Sequence, residues 1–462
     1  MEDLMSHPRT AALNYAKSNN PRFLDELKEF LSIASISTDP DRNKDVERAA
    51  NWVAQQFNHL GLDKVEIFQT GGHPVVFGEL SANNQNAPTV LVYGHYDVQP
   101  AEPLDLWTTD AFDPVQRGDN LYARGASDMK GQVMATIKAL ESVLSAGELP
   151  INIKFLIEGE EEIGSPNLGE FISNHKDLLQ CDFALNPDTG MIAPDLPTIT
   201  YALRGLAYFE VRIDGPDHDL HSGIYGGVVH NPAQALAELI AGMHNEDGMV
   251  TLPGFYDKVR IIDQEERTEL SRLPMGVDFY LQQTGAPALW GEKEYSPVER
   301  VGARPTLEVN GLYSGFIGEG SKTVLPAWAM AKISTRLVPD QDPEEVHQQL
   351  IQYLETHTPQ TVTYQVTNLV GSPASISDQH SPGVKAMQTA MHQVWNKKPL
   401  FRREGGSVPV VVLFMDILKV DSVNCGFSLP DDNAHSPNEK LHLPTWNHGI
   451  DSIIHFIYNL AK

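Results

Sequence analysis

The run Val90-Leu91-Val92-Tyr93, closed by Gly94-His95-Tyr96-Asp97, constrains this chain more than any other stretch. Consecutive apolar residues stopped by a glycine predict a strand buried on both faces, the kind found in parallel sheets covered by helices. In open α/β sheets ligands gather at the carboxyl ends of the strands, which puts His95 where chemistry is done. Asp97 can reach the second ring nitrogen of His95, fix its tautomer and leave the other nitrogen for a metal. Two more apolar runs end in the same way. Residues 151–157 run into Glu158-Gly159-Glu160-Glu161-Glu162, and residues 182–186 into Pro187-Asp188. Three strand ends thus carry His, Glu and Asp groups toward one edge.

With 462 residues the chain exceeds one comfortable hydrophobic core, so two domains are expected. Asn20-Pro21 reads as a helix N-terminus, followed by the stripe Phe23, Leu24, Leu27, Phe30 and Leu31. A helix is predicted over 45–60 with Gly61 as its stop, strands over 64–68 and 74–80, a loop beyond Asp105, and a helix from about Asp128 to Gly147. After Gly205 the texture changes. Alternation at 207–213, 306–312 and 330–337 predicts half-buried antiparallel strands, with helices over 232–243 and 343–355 and a strand over 361–366. The expected architecture is α/β: a catalytic domain with a mostly parallel sheet flanked by helices, formed by 1–205 and 376–462, and an α+β, ferredoxin-like domain inserted at 206–375. In the second catalytic part, helices are expected at 381–396 and 408–417, a strand at 422–427 and a last helix after Pro444. Residues 254–302 have no readable role.

The 61 acidic against 34 basic residues give a formal charge of −27, which repels nucleic acid and anionic membranes. Neither is expected as a partner. No stretch has the length of a membrane span and residues 1–10 lack an apolar leader. The two cysteines, Cys181 and Cys425, suit buried thiols in a reducing compartment, so the expected address is the cytoplasm.

A metal site without thiolates must be built from His, Asp and Glu. His95, Asp128, Glu162, Asp188 and His435 supply two imidazoles and three carboxylates, a set suited to zinc, and also to manganese or cobalt. Two ions can share it if Asp128 bridges, its ionised form favoured by the helix start. His95 with Asp188 would complete one ion's set, and His435 with Glu162 the other's. Glu161, beside Glu162 but projecting differently, could carry a proton from water to a leaving amine. Taken singly, each residue reads more simply as a surface or capping group; their placement at strand ends and a helix start is what joins them.

Gly94-His95-Tyr96-Asp97, Arg124-Gly125-Ala126-Ser127-Asp128-Met129-Lys130-Gly131, Glu161-Glu162-Ile163-Gly164-Ser165, Asp188 and Ala434-His435-Ser436-Pro437-Asn438-Glu439 resemble the dinuclear zinc exopeptidases that include carnosinase and cytosolic nonspecific dipeptidase. More distant relatives are glutamate carboxypeptidase, acetylornithine deacetylase, succinyl-diaminopimelate desuccinylase and aminoacylase. The resemblance implies Glu161 as general base, Asp97 as the orienter of His95, a cis peptide after Asp128, and two zinc ions. It implies that the inserted domain is lid and dimerisation domain of a homodimer, His221 of Asp219-Leu220-His221-Ser222-Gly223 stabilising the oxyanion in the partner's site. It further implies that Arg336, in Thr335-Arg336-Leu337-Val338-Pro339, binds the substrate's terminal carboxylate, and that Gly406 and Ser407 belong to the substrate loop.

The expected activity is a metal-dependent dipeptidase acting on small peptides. An N-acyl-amino-acid amidohydrolase would use the same metals on another acyl group. A non-catalytic binding protein would have no need of both the ligands and Glu161, and Gly405-Gly406-Ser407 lacks the spacing and lysine of a phosphate loop.

Overall fold

The computed structural model describes residues 8–406 and 408–461. They form two compact units. One comprises residues 8–201, 377–401 and 409–461, the other 202–376 with 402–406 and 408. Residues 402–406 and 408, placed by sequence with residues 376–462, thus group with the inserted segment.

The first unit is built on a mixed sheet in the order Lys64–Phe68, Val75–Leu80, Asn152–Glu158, Thr89–His95, Phe183–Asn186, Ser422–Asn424 and Thr198–Leu203. The four strands from Asn152–Glu158 to Ser422–Asn424 pair in parallel. Antiparallel strands flank them on both sides. The α/β fold with helices about a parallel centre is therefore present. Val90, Leu91, Val92 and Tyr93 are all buried, as a strand covered on both faces requires. Gly94 is dictated by packing, because a Cβ there would lie 2.7 Å from the Val133 side chain of the helix Lys130–Ser145.

The first helix departs from the sequence reading. It runs Pro8–Leu31, with Pro21 inside it rather than at its start. An interior proline removes one backbone hydrogen bond and costs about 3 kcal/mol. Burial of Ala12 and Ala16, with Tyr15 Oη donating to Glu141 (3.1 Å), holds the segment ahead of Pro21 in the helix. The region beyond Asp105 is not wholly loop, since Val115–Arg117 and Asn120–Tyr122 form a small antiparallel sheet with Lys440–His442.

The second unit carries a four-stranded antiparallel sheet in the order Thr306–Ser314, Trp328–Leu337, Gly205–Asp214 and Thr363–Ser372. Alternate residues Ala207, Phe209, Val211 and Ile213 are buried, with Ala329, Ala331, Ile333 and Leu337 beside them. Ala235, Leu236 and Leu239 of Pro232–Gly242 and Val346, Leu350 and Leu354 of Pro343–His357 join the same core. Asp342 caps the latter helix by accepting from Glu344 N and Glu345 N. Residues 254–302 contain the helices Gln264–Leu270 and Val277–Thr284 and most of Pro297–Ala303, the last begun by a capping box at Ser296. Among the described residues no helix is long and apolar enough to cross a membrane. Cys425 is buried, Cys181 half-buried, and both are free thiols.

Candidate functional site

His95 ends the central strand Thr89–His95 and is fully buried. Its Nδ1 faces the Asp97 main-chain carbonyl at 3.0 Å and the Asp97 carboxylate at 3.4 Å. The orienting contact expected of the carboxylate is thus made first by the backbone. The Asp97 side chain accepts hydrogen bonds from Glu161 N (3.3 Å) and Glu162 N (3.1 Å). Asp97 therefore ties the His95 strand end to the turn bearing both glutamates.

Asp128 lies just before the helix Lys130–Ser145 and is joined to Met129 by a cis peptide. Its two oxygens face different imidazoles: Oδ1 is 3.2 Å from His95 Nε2, and Oδ2 is 2.9 Å from His435 Nε2. His435 Nε2 also lies 3.2 Å from Glu162 Oε2, which accepts from Gln99 Nε2 at 2.9 Å. Asp188 follows the strand Phe183–Asn186, its N–H donating to Asn186 Oδ1 (3.1 Å). Ligand atoms of His95, Asp128 and Asp188 lie within 4.8 Å of one another, and so do those of Asp128, Glu162 and His435. Glu161 belongs to neither group; its Oε2 is 4.0 Å from His95 Nε2.

Asp97, Asp128, Glu161, Glu162 and Asp188 crowd five carboxylates around two imidazoles. Burial, reinforced by the charges of Glu162, Asp128 and Asp97, pushes Glu161 up to about 8 against the attraction of His95. Burial and the neighbouring Asp128 charge push Asp188 well above the usual carboxylate range. Burial also works against ionised Asp128, but hydrogen bonds from His435 and His95 outweigh it and hold that carboxyl below its ordinary value. The two histidines keep it charged. Hydrogen bonds to Asp128 and then Glu162 raise His435 to about 10. His95 is raised too, its bonds to Asp128 and Asp97 overcoming burial. Glu161, Asp188 and both histidines thus favour their protonated forms, whereas Asp128 favours its ionised one. Nitrogen and oxygen donors without thiolate, shared between two groups through one carboxylate, fit divalent metal ions.

The remaining residues singled out by sequence lie in the second unit. His221 is exposed at the end of Leu220–His221, and its Nδ1 accepts from Gly223 N (3.0 Å), capping the turn Ser222–Tyr225. Arg336 sits on Trp328–Leu337 opposite Thr306 and Leu206. It lines a cavity of about 450 Å³ with Arg204, Glu308 and Ser334. Gly406 is exposed, and Ser407 lies outside the described residues. The structure therefore gathers His95, Asp97, Asp128, Glu161, Glu162, Asp188 and His435 in one place within the first unit.

Residues 91–459 match Peptidase family M20/M25/M40. The chain belongs to that family. Among its M20 relatives, a Cys-Gly metallodipeptidase of Schizosaccharomyces pombe is 31% identical over 95% of this chain and 96% of its own. A human Beta-Ala-His dipeptidase is 30% identical over 94% of this chain and 89% of its own. The crystal structure of an M20 family metallo-carboxypeptidase, Sso-CP2 from Sulfolobus solfataricus, superposes with a TM-score of 0.84 at 34% identity, covering 95% of this chain and 99% of that one. This M20 chain is thus an enzyme of the metallopeptidase class. Sequence reasoning gave no separate job to Glu439 or Asp432, whose contacts beneath Asp128 only the folded chain reveals.

Proposed function

We propose that this M20 enzyme is a metal-dependent dipeptidase that hydrolyses the peptide bond of dipeptides or the C-terminal bond of short peptides. The observation that carries the reading is the Asp128 carboxylate, one oxygen turned to each histidine, with Glu161 beside both groups and a member of neither. The names of the fission-yeast and human relatives, both dipeptidases, support the substrate class.

In this reading His95 and Asp188 would hold one ion, His435 and Glu162 the other, and Asp128 would be shared by the two groups. Zinc is proposed as the metal, with manganese and cobalt compatible with the same donors. Divalent cations held there would supply polarisation of the scissile carbonyl and a lowered pKa for the attacking water. Glu161 takes the proton from that water and returns it to the leaving amine. Asp97 keeps His95 in its tautomer and Glu161 in reach. Arg336 pairs with the terminal carboxylate of the substrate, a task that suits the planar guanidinium fork. Residues 206–375 act as lid and dimerisation domain of a homodimer in which His221 stabilises the oxyanion of the partner's site, and Gly406 and Ser407 offer donors to the substrate. Two free thiols support a cytoplasmic address.

Release of a C-terminal residue from longer peptides is a second arm of the same reading, favoured by the 34% identity to the Sulfolobus metallo-carboxypeptidase. The test is amino-acid release from dipeptides, longer peptides and N-acyl amino acids, before and after chelation and metal re-addition. Dipeptide cleavage lost on chelation and restored by zinc or manganese is expected. Cleavage of N-acyl substrates alone would replace the reading with a deacylase, and inactivity on all of them would refute it.

A further inference from the structure

His435 differs from the other candidate ligands in how it is held. His95 is part of a strand, Asp188 closely follows one, and the Glu162 main chain is fastened by Asp97. His435 instead lies on the loop between Asp432 and Lys440, where Asn433, His435 and Asn438 have left-handed φ angles of 56°, 60° and 60°. A loop of such residues keeps its shape only where its surroundings impose it. Yet its imidazole must meet Asp128 at hydrogen-bond distance.

Glu439 closes that loop and is fully buried. Its carboxylate accepts four hydrogen bonds, all from the segment bearing Asp128. Oε1 accepts from Ser127 N (2.9 Å) and Asp128 N (3.0 Å), and Oε2 from Gly125 N (2.8 Å) and Arg124 Nη1 (2.8 Å). Its carbonyl accepts from Ala123 N (3.1 Å). The buried Arg124 also donates to Pro100 O (3.0 Å). At the loop's other end, Asp432 Oδ2 accepts from Ser127 Oγ (2.8 Å) and Leu429 N (2.7 Å), while Lys440 Nζ donates to Oδ1 (3.0 Å). Both ends of the His435 loop are thereby pinned to the segment that presents Asp128, the Glu439 end through its backbone and the Asp432 end through the Ser127 hydroxyl.

We propose that Glu439, assisted by Asp432, is a positioning residue that registers His435 against Asp128, so that binding at the Asp128–Glu162–His435 group depends on it more than binding at the His95–Asp128–Asp188 group. The proposal rests on the two-metal reading above. Replacing Glu439 by Gln turns an acceptor into a donor facing backbone N–H groups and removes the counter-charge of Arg124. Outer partners of metal ligands typically govern affinity by about 10–100-fold.

The experiment titrates the metal-free protein with zinc by calorimetry, with metal content read by elemental analysis, for the parent, Glu439→Gln, His435→Ala and the double variant. Two ions in the parent are required; fewer would refute the metal-centre reading and leave nothing for Glu439 to position. Glu439→Gln is expected to weaken one site about 10–100-fold while the other stays within about threefold, and to add no further loss in the His435→Ala background. Equal weakening of both sites, an unchanged titration, or a further loss in that background would overturn the positioning role. If Glu439→Gln fails to fold by circular dichroism, Ser127→Ala, which removes only the Asp432 bond to the hydroxyl, is expected to give the same one-sided weakening at smaller size, and symmetric binding there overturns the proposal.

Discussion

Replacing Glu161 by Gln separates the proton carrier from the metal groups, because the two side chains have nearly the same shape and Glu161 stands outside both groups. Its backbone N–H would still donate to Asp97, so the turn bearing Glu162 should persist. A positioned acid–base group contributes about 10²–10⁴-fold, or roughly 3–5 kcal/mol of barrier, so kcat should fall by that factor with two metals still bound. The metal-free protein should respond with the opposite sign. Burial and neighbouring carboxylates raise Glu161 from 4.5 to about 8, so the folded state holds this proton more tightly than the unfolded chain. Stability is therefore lost as pH rises from about 4.5 to about 8, by on the order of 5 kcal/mol for an isolated group and about half that in a coupled, partly exposed cluster. Gln has no proton to lose. Metal-free Glu161→Gln should unfold at higher denaturant than the metal-free parent at pH 9 and at nearly the same denaturant at pH 4.5. Steady-state kinetics with metal analysis, and urea unfolding at the two pH values, provide the test. A turnover within about threefold of the parent would refute the proton-carrier role, and equal stabilities at pH 9 would refute the crowding of charge.

Asp97→Asn places an amide among groups that need an acceptor, Glu161 N, Glu162 N and His95 Nδ1; metal affinity should drop about 10–100-fold, read by competition with a chelator. Asp451 is pushed up to about 6 by burial, against the pull of Lys17. A carboxyl raised in the folded state costs stability as pH rises from about 4 to 6, so Asp451→Asn should stabilise the protein by on the order of 1–2 kcal/mol at pH 8 and not at pH 3.5, measured by chemical unfolding. Phe209→Ala empties the core of the second unit, where Phe209 is fully buried and stacks on His347 at 5.5 Å. A loss of about 3–5 kcal/mol is expected, and a thermal midpoint unchanged for that unit would contradict its place in the core.

The strand ends were legible because a strand buried on both faces must be apolar along its length, and polar residues interrupt such runs abruptly at His95, Glu158 and Asp188. The alternation of 207–213 was legible for the complementary reason, with one face packed under helices and the other not. Three-residue strands such as Val115–Arg117 and Asn120–Tyr122 are too short to show any period, so the region beyond Asp105 reads as loop. Pro21 misleads because the start signal it carries with Asn20 is local, whereas Ala12 and Ala16 are held in the helix by burial. Thr198–Leu203 passed unnoticed between the runs on either side of it. Glu439 and Asp432 could not be found from pattern alone: a buried carboxylate surrounded by backbone N–H groups looks, in sequence, like any other acidic residue.

The inserted segment departs and returns through paired residues, Leu203 opposite Ser375 and Ala202 opposite Ile376. Directly opposed residues of an antiparallel pair stand about 5 Å apart, so the whole excursion begins and ends at nearly one point. A short reverse turn could join those positions without disturbing the hydrogen bonds of Thr198–Leu203 to its sheet. Geometrically the insertion is a hairpin loop grown to the size of a domain, and chain growth at such a point costs little closure entropy however long it becomes. A gene could therefore lengthen, trim or exchange this module while the cation-binding scaffold kept its register.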